Sequence, residues 1–241
     1  MRPVNKKRQG DIVEYITSMN QVVTHTIKAT YKPYRDAKDP LVANLGKFCS
    51  YCEEYRALGD MHVEHINPKS KGGDKYAWDN FLLACNICNS CKLKSIVNVE
   101  NIHLPHKDNT YLDFIYDESG RVKINPELSE SEYKKAENLY NLVKMGRGPQ
   151  DKEVATERDY RWQNRFEIWN IAQRQLDLYI SGKVEIRDII ALVLSRGHWS
   201  IWFTIFKECD EVKDALIAQI PGTCANCFDK NHHYKPILRE V

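Results

Sequence analysis

No apolar run in this 241-residue chain approaches the roughly 20 residues a helix needs to cross a bilayer, which argues against a membrane-spanning helix. The first ten residues carry Arg2, Lys6, Lys7 and Arg8, and no apolar segment follows them. They are therefore read as a solvated or phosphate-contacting arm, not as a secretory signal. Charge of one sign is also scarce in excess: the net charge is +2, too small to argue for a polyanionic partner from bulk composition. Internal repeats and low-complexity segments are missing, which excludes repeat arrays. No G-x-x-x-x-G-K-[ST] occurs; Lys71-Gly-Gly-Asp-Lys75 reads as a turn, so a phosphate-binding P-loop is excluded. What remains is an ordinary globular composition, 42% apolar and 28% charged.

Against this background the cysteines stand out. There are eight. Four form two Cys-x-x-Cys pairs, Cys49/Cys52 and Cys85/Cys88. Without a secretory signal the expected compartment is the reducing cytoplasm, where such spacing favours metal over disulfides. Each pair puts two thiolates on one tight turn, and two turns complete the tetrahedral four-thiolate set of structural Zn2+. Thirty-two residues separate the pairs, so the intervening chain must fold back as a unit tied at its base. Cys91 is a substitute ligand by position, but Cys85/Cys88 matches the spacing of Cys49/Cys52, and Cys91 is assigned to packing. Cys209 reads as a small buried apolar residue. In the tail, Cys224-x-x-Cys227 and His232-His233 leave a second metal site open.

Between the knuckles lie His62-Val-Glu64-His65-Ile-Asn-Pro68, then Gly72-Gly73, then Asp79-Asn80-Phe81, with Asn89 just after the last cysteine. Fourteen residues separate His65 from Asn80, and eight separate Asn80 from Asn89. An imidazole titrating near neutrality suits a general base. Glu64 and Asn89 offer hard oxygen donors for a divalent cation. His62, two positions before Glu64 on an extended strand, would share its face; it is either an auxiliary ligand or a surface residue.

The rest of the chain reads as follows. Residues 11–45 are expected to be helical, with breaks at Pro33 and Pro40. Strands are expected near 61–66 and a helix from near 80. Residues 111–116 and 121–124 carry a hairpin signal. Ser129-x-x-Glu132 opens a helix to about Met145, another is expected over 156–180, and two more over 185–195 and 198–219. Trp199, Trp202, Phe203 and Phe206 are assigned to the core. The expected fold is thus α+β and mostly helical. Its parts are an N-terminal helical segment (1–45), a cysteine-rich module (46–100), and a hairpin followed by a helical region (101–241).

The order acid, His65, Asn80, Asn89, flanked by the two knuckles, resembles the HNH endonuclease family. That resemblance implies a zinc-stapled ββα-metal module and metal-dependent phosphodiester hydrolysis. It implies His65 as base, Glu64 and Asn89 as ligands of Mg2+ or Mn2+, and Asn80 as the brace of the loop that orients the base. Lys69 and Lys92 are candidate phosphate contacts. The chain departs from many family members in having Glu64 where Asp is common and Asn89 where His is common. Further segments, among them Phe48–Glu53, Val63–Ser70, Trp78–Cys85, Gly197–Trp202 and Pro221–Asp229, are similar to the PtuB-type nucleases of Septu and retron-associated antiphage systems. This wider resemblance implies a PtuA-type ATPase partner docked on the helical region and, in a retron complex, a reverse transcriptase and its nucleic acid. DNA is the expected substrate. RNA, including tRNA, and a non-catalytic zinc-stapled nucleic-acid-binding adaptor stay open as alternatives.

Overall fold

A computed structural model describes residues 1–17, 19–93, 95, 97–148 and 159–239. The chain opens with an extended strap and continues into an antiparallel hairpin, β1 (Ile12–Ile16) and β2 (Val22–Thr26). This corrects the helical expectation for residues 11–45: only α1 (Lys38–Leu45), preceded by a 3₁₀ turn over Tyr34–Ala37, is helical there. The reason lies in the residues. Ile12-Val-Glu-Tyr-Ile16 and Val22-Val-Thr-His-Thr26 are rich in β-branched side chains, whose χ1 stiffness favours strands. Asn20 supplies the positive φ between them.

The cysteine-rich stretch forms β3 (Met61–His65), β4 (Phe81–Cys85) and α2 (Asn86–Lys92). The two strands pair antiparallel, with His65 opposite Phe81 and Glu64 opposite Leu82. The helix thus begins at Asn86, later than expected, because Phe81–Cys85 is a fully buried apolar run that serves as the second strand. Next come the expected hairpin, β5 (Phe114–Tyr116) with β6 (Val122–Ile124), and α3 (Glu130–Leu142). Ser129 caps α3 by accepting from the Glu132 N–H at 3.4 Å. The Glu132 carboxylate does not complete a capping box; it binds His103 Nε2 at 2.7 Å and Lys135.

The last part holds α4 (Arg161–Ile180), α5 (Ile186–Arg196), α6 (Trp199–Ile205) and α7 (Asp210–Gln219), then a short ribbon, β7 (Phe228–Asp229) with β8 (Lys235–Pro236). The start expected for the fourth helix, residues 156–158, lies outside the described residues. The single helix expected over 198–219 is two, broken at Phe206–Cys209. Trp199, Trp202, Phe203 and Phe206 are buried as expected, and Trp199, Phe203 and Phe228 pack ring against ring.

One buried carboxylate ties these parts together. Glu53 Oε1 accepts from the Arg2 N–H (3.0 Å) and the Tyr116 hydroxyl (3.1 Å), and Oε2 from the Ser200 N–H (2.7 Å). The strap, the β5 strand, α6 and the first cysteine turn therefore converge on one side chain. Gly197 passes so close behind it that a Cβ there would lie 2.2 Å from the Glu53 carbonyl oxygen.

Candidate active site and metal centre

The first cysteine turn is closed by the Glu53 N–H donating to the Cys49 carbonyl (3.0 Å) and is pinned to β4 by Ser50 N–H to the Leu83 carbonyl (2.9 Å). The second is the junction of β4 and α2, where the Cys85 sulfur caps the helix by accepting from the Cys88 N–H at 3.5 Å. The sulfur atoms of Cys49, Cys52, Cys85 and Cys88 all lie within 4.8 Å of one another and are buried. The Cys52 and Cys85 sulfurs are 3.7 Å apart. Zinc–thiolate bonds of about 2.3 Å in a tetrahedron give an edge of about 3.8 Å, so the cluster fits structural zinc. Among the described residues no other group of three or more His, Cys, Asp or Glu gathers ligand atoms in this way. In the tail, His232 pairs with Asp229 and His233 with Asp210. The open possibility of a second metal there therefore has only the buried Cys224 and Cys227 to rest on.

Four thiolates around a divalent ion leave a net charge of about −2. The buried Arg161, from α4, meets it: Nη1 donates to Cys88 Sγ at 3.4 Å, and Nη2 pairs with Asp159 at 2.8 Å. Arg161 and Arg147 also reach the sulfur of Cys91, which packs beside the centre. No sequence signal pointed to Arg161, since 73 residues separate it from Cys88.

Beside the β3–β4 hairpin a cleft of about 610 Å³ is lined by His62, Glu64, His65, Lys69 and Asn89, together with residues from the 3₁₀ turn and α1. His65 ends β3. Its Nε2 donates to the Lys75 carbonyl at 3.1 Å, which leaves Nδ1 as the basic nitrogen. The ring sits between the edges of Tyr34 (4.9 Å between centroids) and Phe81 (5.1 Å). Burial lowers its pKa from the usual value, and the nearby ammonium groups of Lys69 and Lys92 act in the same direction. Asn80 clasps the intervening loop: Oδ1 accepts from Asn67 N–H (2.8 Å), and Nδ2 donates to the carbonyls of Asn67 (2.9 Å) and Asp74 (2.8 Å). Asp74 adjoins Lys75, so this clasp sets the carbonyl that holds His65. Gly73 is required where the loop closes, because a Cβ would lie 2.1 Å from the Asn67 carbonyl oxygen.

Glu64 is buried and occupied. Oε1 pairs with Lys92 Nζ at 2.7 Å, and Oε2 accepts from the Tyr51 hydroxyl at 2.9 Å. Burial raises its pKa while Lys92 pulls it back. Lys92 also donates to the His65 carbonyl at 2.7 Å and is 1% exposed. This corrects both readings of Lys92, as a candidate phosphate contact and as a surface lysine: it faces inward as the counter-charge of Glu64. Lys69 does line the cleft, with its ammonium 4.6 Å from the Tyr34 ring centroid. His62 also lines the cleft, and its Nε2 contacts the Asn86 side chain. The sequence reading missed Tyr34, Arg35 and Lys38, which precede the cysteine motif and carry no pattern of their own.

The cleft and the sulfur cluster meet at one unit of two strands and a helix, which the first cysteine turn joins on the cluster side and the Tyr34–Ala37 turn on the cleft side. The family model described as HNH endonuclease matches residues 49–95. The chain thus carries an HNH endonuclease domain, and its class is phosphodiester hydrolase. A search of curated proteins finds no match.

Proposed function

We propose that His65 is the general base of this domain, taking a proton through Nδ1 from the attacking nucleophile. The observation that carries this reading is the Lys75 carbonyl on Nε2, which fixes the tautomer in which Nδ1 is unprotonated. Asn80 acts at a distance by holding the loop that bears that carbonyl. A divalent cation such as Mg2+ or Mn2+ suits the donors that line the cleft: the Asn89 amide oxygen, the Glu64 carboxylate and, beside them, the His62 imidazole. When bound, such an ion supplies charge neutralisation at the scissile phosphate and the leaving oxygen. Glu64 would have to exchange its contact with Lys92 for the ion, so Lys92 and the cation are competitors for one carboxylate.

The substrate we favour is DNA, on the strength of the HNH resemblance. The role we favour is as nuclease of an antiphage complex with an ATPase partner. The similarity of segments outside the matched domain to PtuB-type nucleases supports that role, and because this chain has no P-loop, any ATP dependence would come from the partner. In this reading the helical region from α3 onward is the docking body.

Cleavage of DNA and RNA by the wild type and by His65→Ala in Mg2+ tests the assignment. Loss of cleavage with zinc content retained is expected, whereas cleavage by the variant at wild-type rate would remove His65 from the role. End-group analysis then separates attack by water from attack by a ribose 2′-hydroxyl, since only the latter leaves a 2′,3′-cyclic phosphate. Copurification with an ATPase, and protection of cells from phage that depends on His65, test the biological role.

A further inference from the structure

The cleft has a wall that the matched domain does not supply. It is built by the Tyr34–Ala37 turn and the first turn of α1, both of which precede the matched residues 49–95. Tyr34, Arg35 and Lys38 line the same space as His65 and Lys69. The two walls meet over the imidazole: the Tyr34 ring is edge-on to His65 and carries the Lys69 ammonium on its face.

Among the described residues, three cations without a carboxylate partner therefore face one cleft. Arg35, Lys38 and Lys69 make no ion pair among the described residues. Lys38 is half-buried and its Nζ is held by the Leu58 carbonyl at 3.1 Å, so its position is set by the fold. Among the described residues the one carboxylate lining the cleft, Glu64, is already neutralised by Lys92. Like charges gathered this way repel one another when the cleft is empty of anions. A phosphate backbone laid between them relieves that repulsion and gains entropy by releasing its own counterions.

We infer that Arg35 and Lys38 grip the backbone of the nucleic-acid substrate opposite Lys69, so that residues outside the HNH segment place the scissile phosphodiester at His65. Tyr34 is the hinge of the arrangement, a positioning residue that packs the base from the side on which the backbone enters. The inference rests on the nuclease reading above and extends it to the substrate track.

The test uses the His65→Ala protein as parent, so that the probe stays intact. Its binding to fluorescein-labelled mixed-sequence DNA, and to RNA of the same sequence, is followed by anisotropy across a salt series. Arg35→Gln and Lys38→Gln are each expected to weaken binding several-fold at low salt. Each should reduce the slope of log K against log salt by about one, and the double variant by about two. Lys183→Gln, at the exposed turn after α4, carries the same charge change and should alter neither quantity. Slopes and affinities of the two cleft variants equal to those of the parent would overturn the inference while leaving the nuclease reading standing. If the parent binds RNA alone, the same slopes on RNA decide the matter. A parent that binds neither probe would sink the nuclease reading, and the inference with it.

Discussion

Replacing Glu53 by Ala should nearly unfold this protein, although Glu53 is neither a cysteine ligand nor part of the cleft. Its carboxylate is 3% exposed with its residue and accepts three hydrogen bonds from groups that are themselves buried: the Arg2 N–H, the Tyr116 hydroxyl and the Ser200 N–H. Truncation to Ala leaves all three donors without an acceptor. An orphaned buried donor costs about 1–3 kcal/mol, so the sum is on the order of 3–6 kcal/mol once water entering the hole recovers part of it. Total stabilities are about 5–15 kcal/mol, so the loss is a large fraction of the whole. Glu53→Gln keeps the Oε1 acceptor and turns an amide NH₂ against the Ser200 N–H, which should cost about 1–3 kcal/mol. Tyr116→Phe removes one donor and orphans nothing charged, so about 1 kcal/mol is expected. Urea unfolding, followed by far-ultraviolet circular dichroism and tryptophan fluorescence, reads all three. The order Ala, then Gln, then Phe is the expected ranking of damage. A Glu53→Ala protein with an unfolding free energy within about 1 kcal/mol of wild type would show that the carboxylate does not join the strap, hairpin and helices in this way.

Lys92→Met removes the counter-charge of Glu64 at a 1% exposed position and should cost about 3–5 kcal/mol, while Lys92→Met with Glu64→Gln should recover much of it; a double variant no better than the single would argue against the pair. Cys88→Ser should lower zinc content measured by atomic absorption and abolish the cooperative transition of the module, because structural zinc contributes on the order of 10–16 kcal/mol to folding; full zinc content in that variant would contradict the four-thiolate centre. Acid should weaken the fold through His198, whose pKa burial pushes down to about 4. The unfolded chain takes up that proton from about pH 6.5 downward and the folded chain does not, so stability falls between those two values by about 3 kcal/mol. His198→Asn, which tolerates the left-handed φ of +59, should flatten that part of the pH–stability curve; an unchanged slope would refute the attribution.

The parts of this protein that were legible in sequence are those whose chemistry is local. Cys-x-x-Cys fixes two thiols on one turn wherever it occurs, so the sulfur cluster followed from spacing. The β5–β6 hairpin and the start of α3 likewise followed from turn residues and a cap that act within a few positions. The β1–β2 hairpin was misread because its apolar residues, at 12, 13, 15, 16, 22 and 23, do not alternate as a half-buried strand's should, which leaves β-branching as the strand signal. Lys92 was misread for a different reason. A lysine three residues beyond Asn89 gives no sign of which way its stem turns, and the fold turns it inward because a buried Glu64 needs a cation. The residues that complete the two centres are the least legible of all. Arg161 balances the thiolates from 73 residues away, and Tyr34, Arg35 and Lys38 reach the cleft from a separate turn. Long-range charge compensation of this kind leaves no local pattern, because any chain segment that passes the site can provide it. The matched segment holds His65, Asn80 and the four thiolates, whereas Arg161 at the sulfur cluster and two of the cations lining the cleft, Arg35 and Lys38, come from outside it. The HNH segment cut free of residues 1–45 and of α4 would keep its motif and Lys69 but lose Arg161, Arg35 and Lys38.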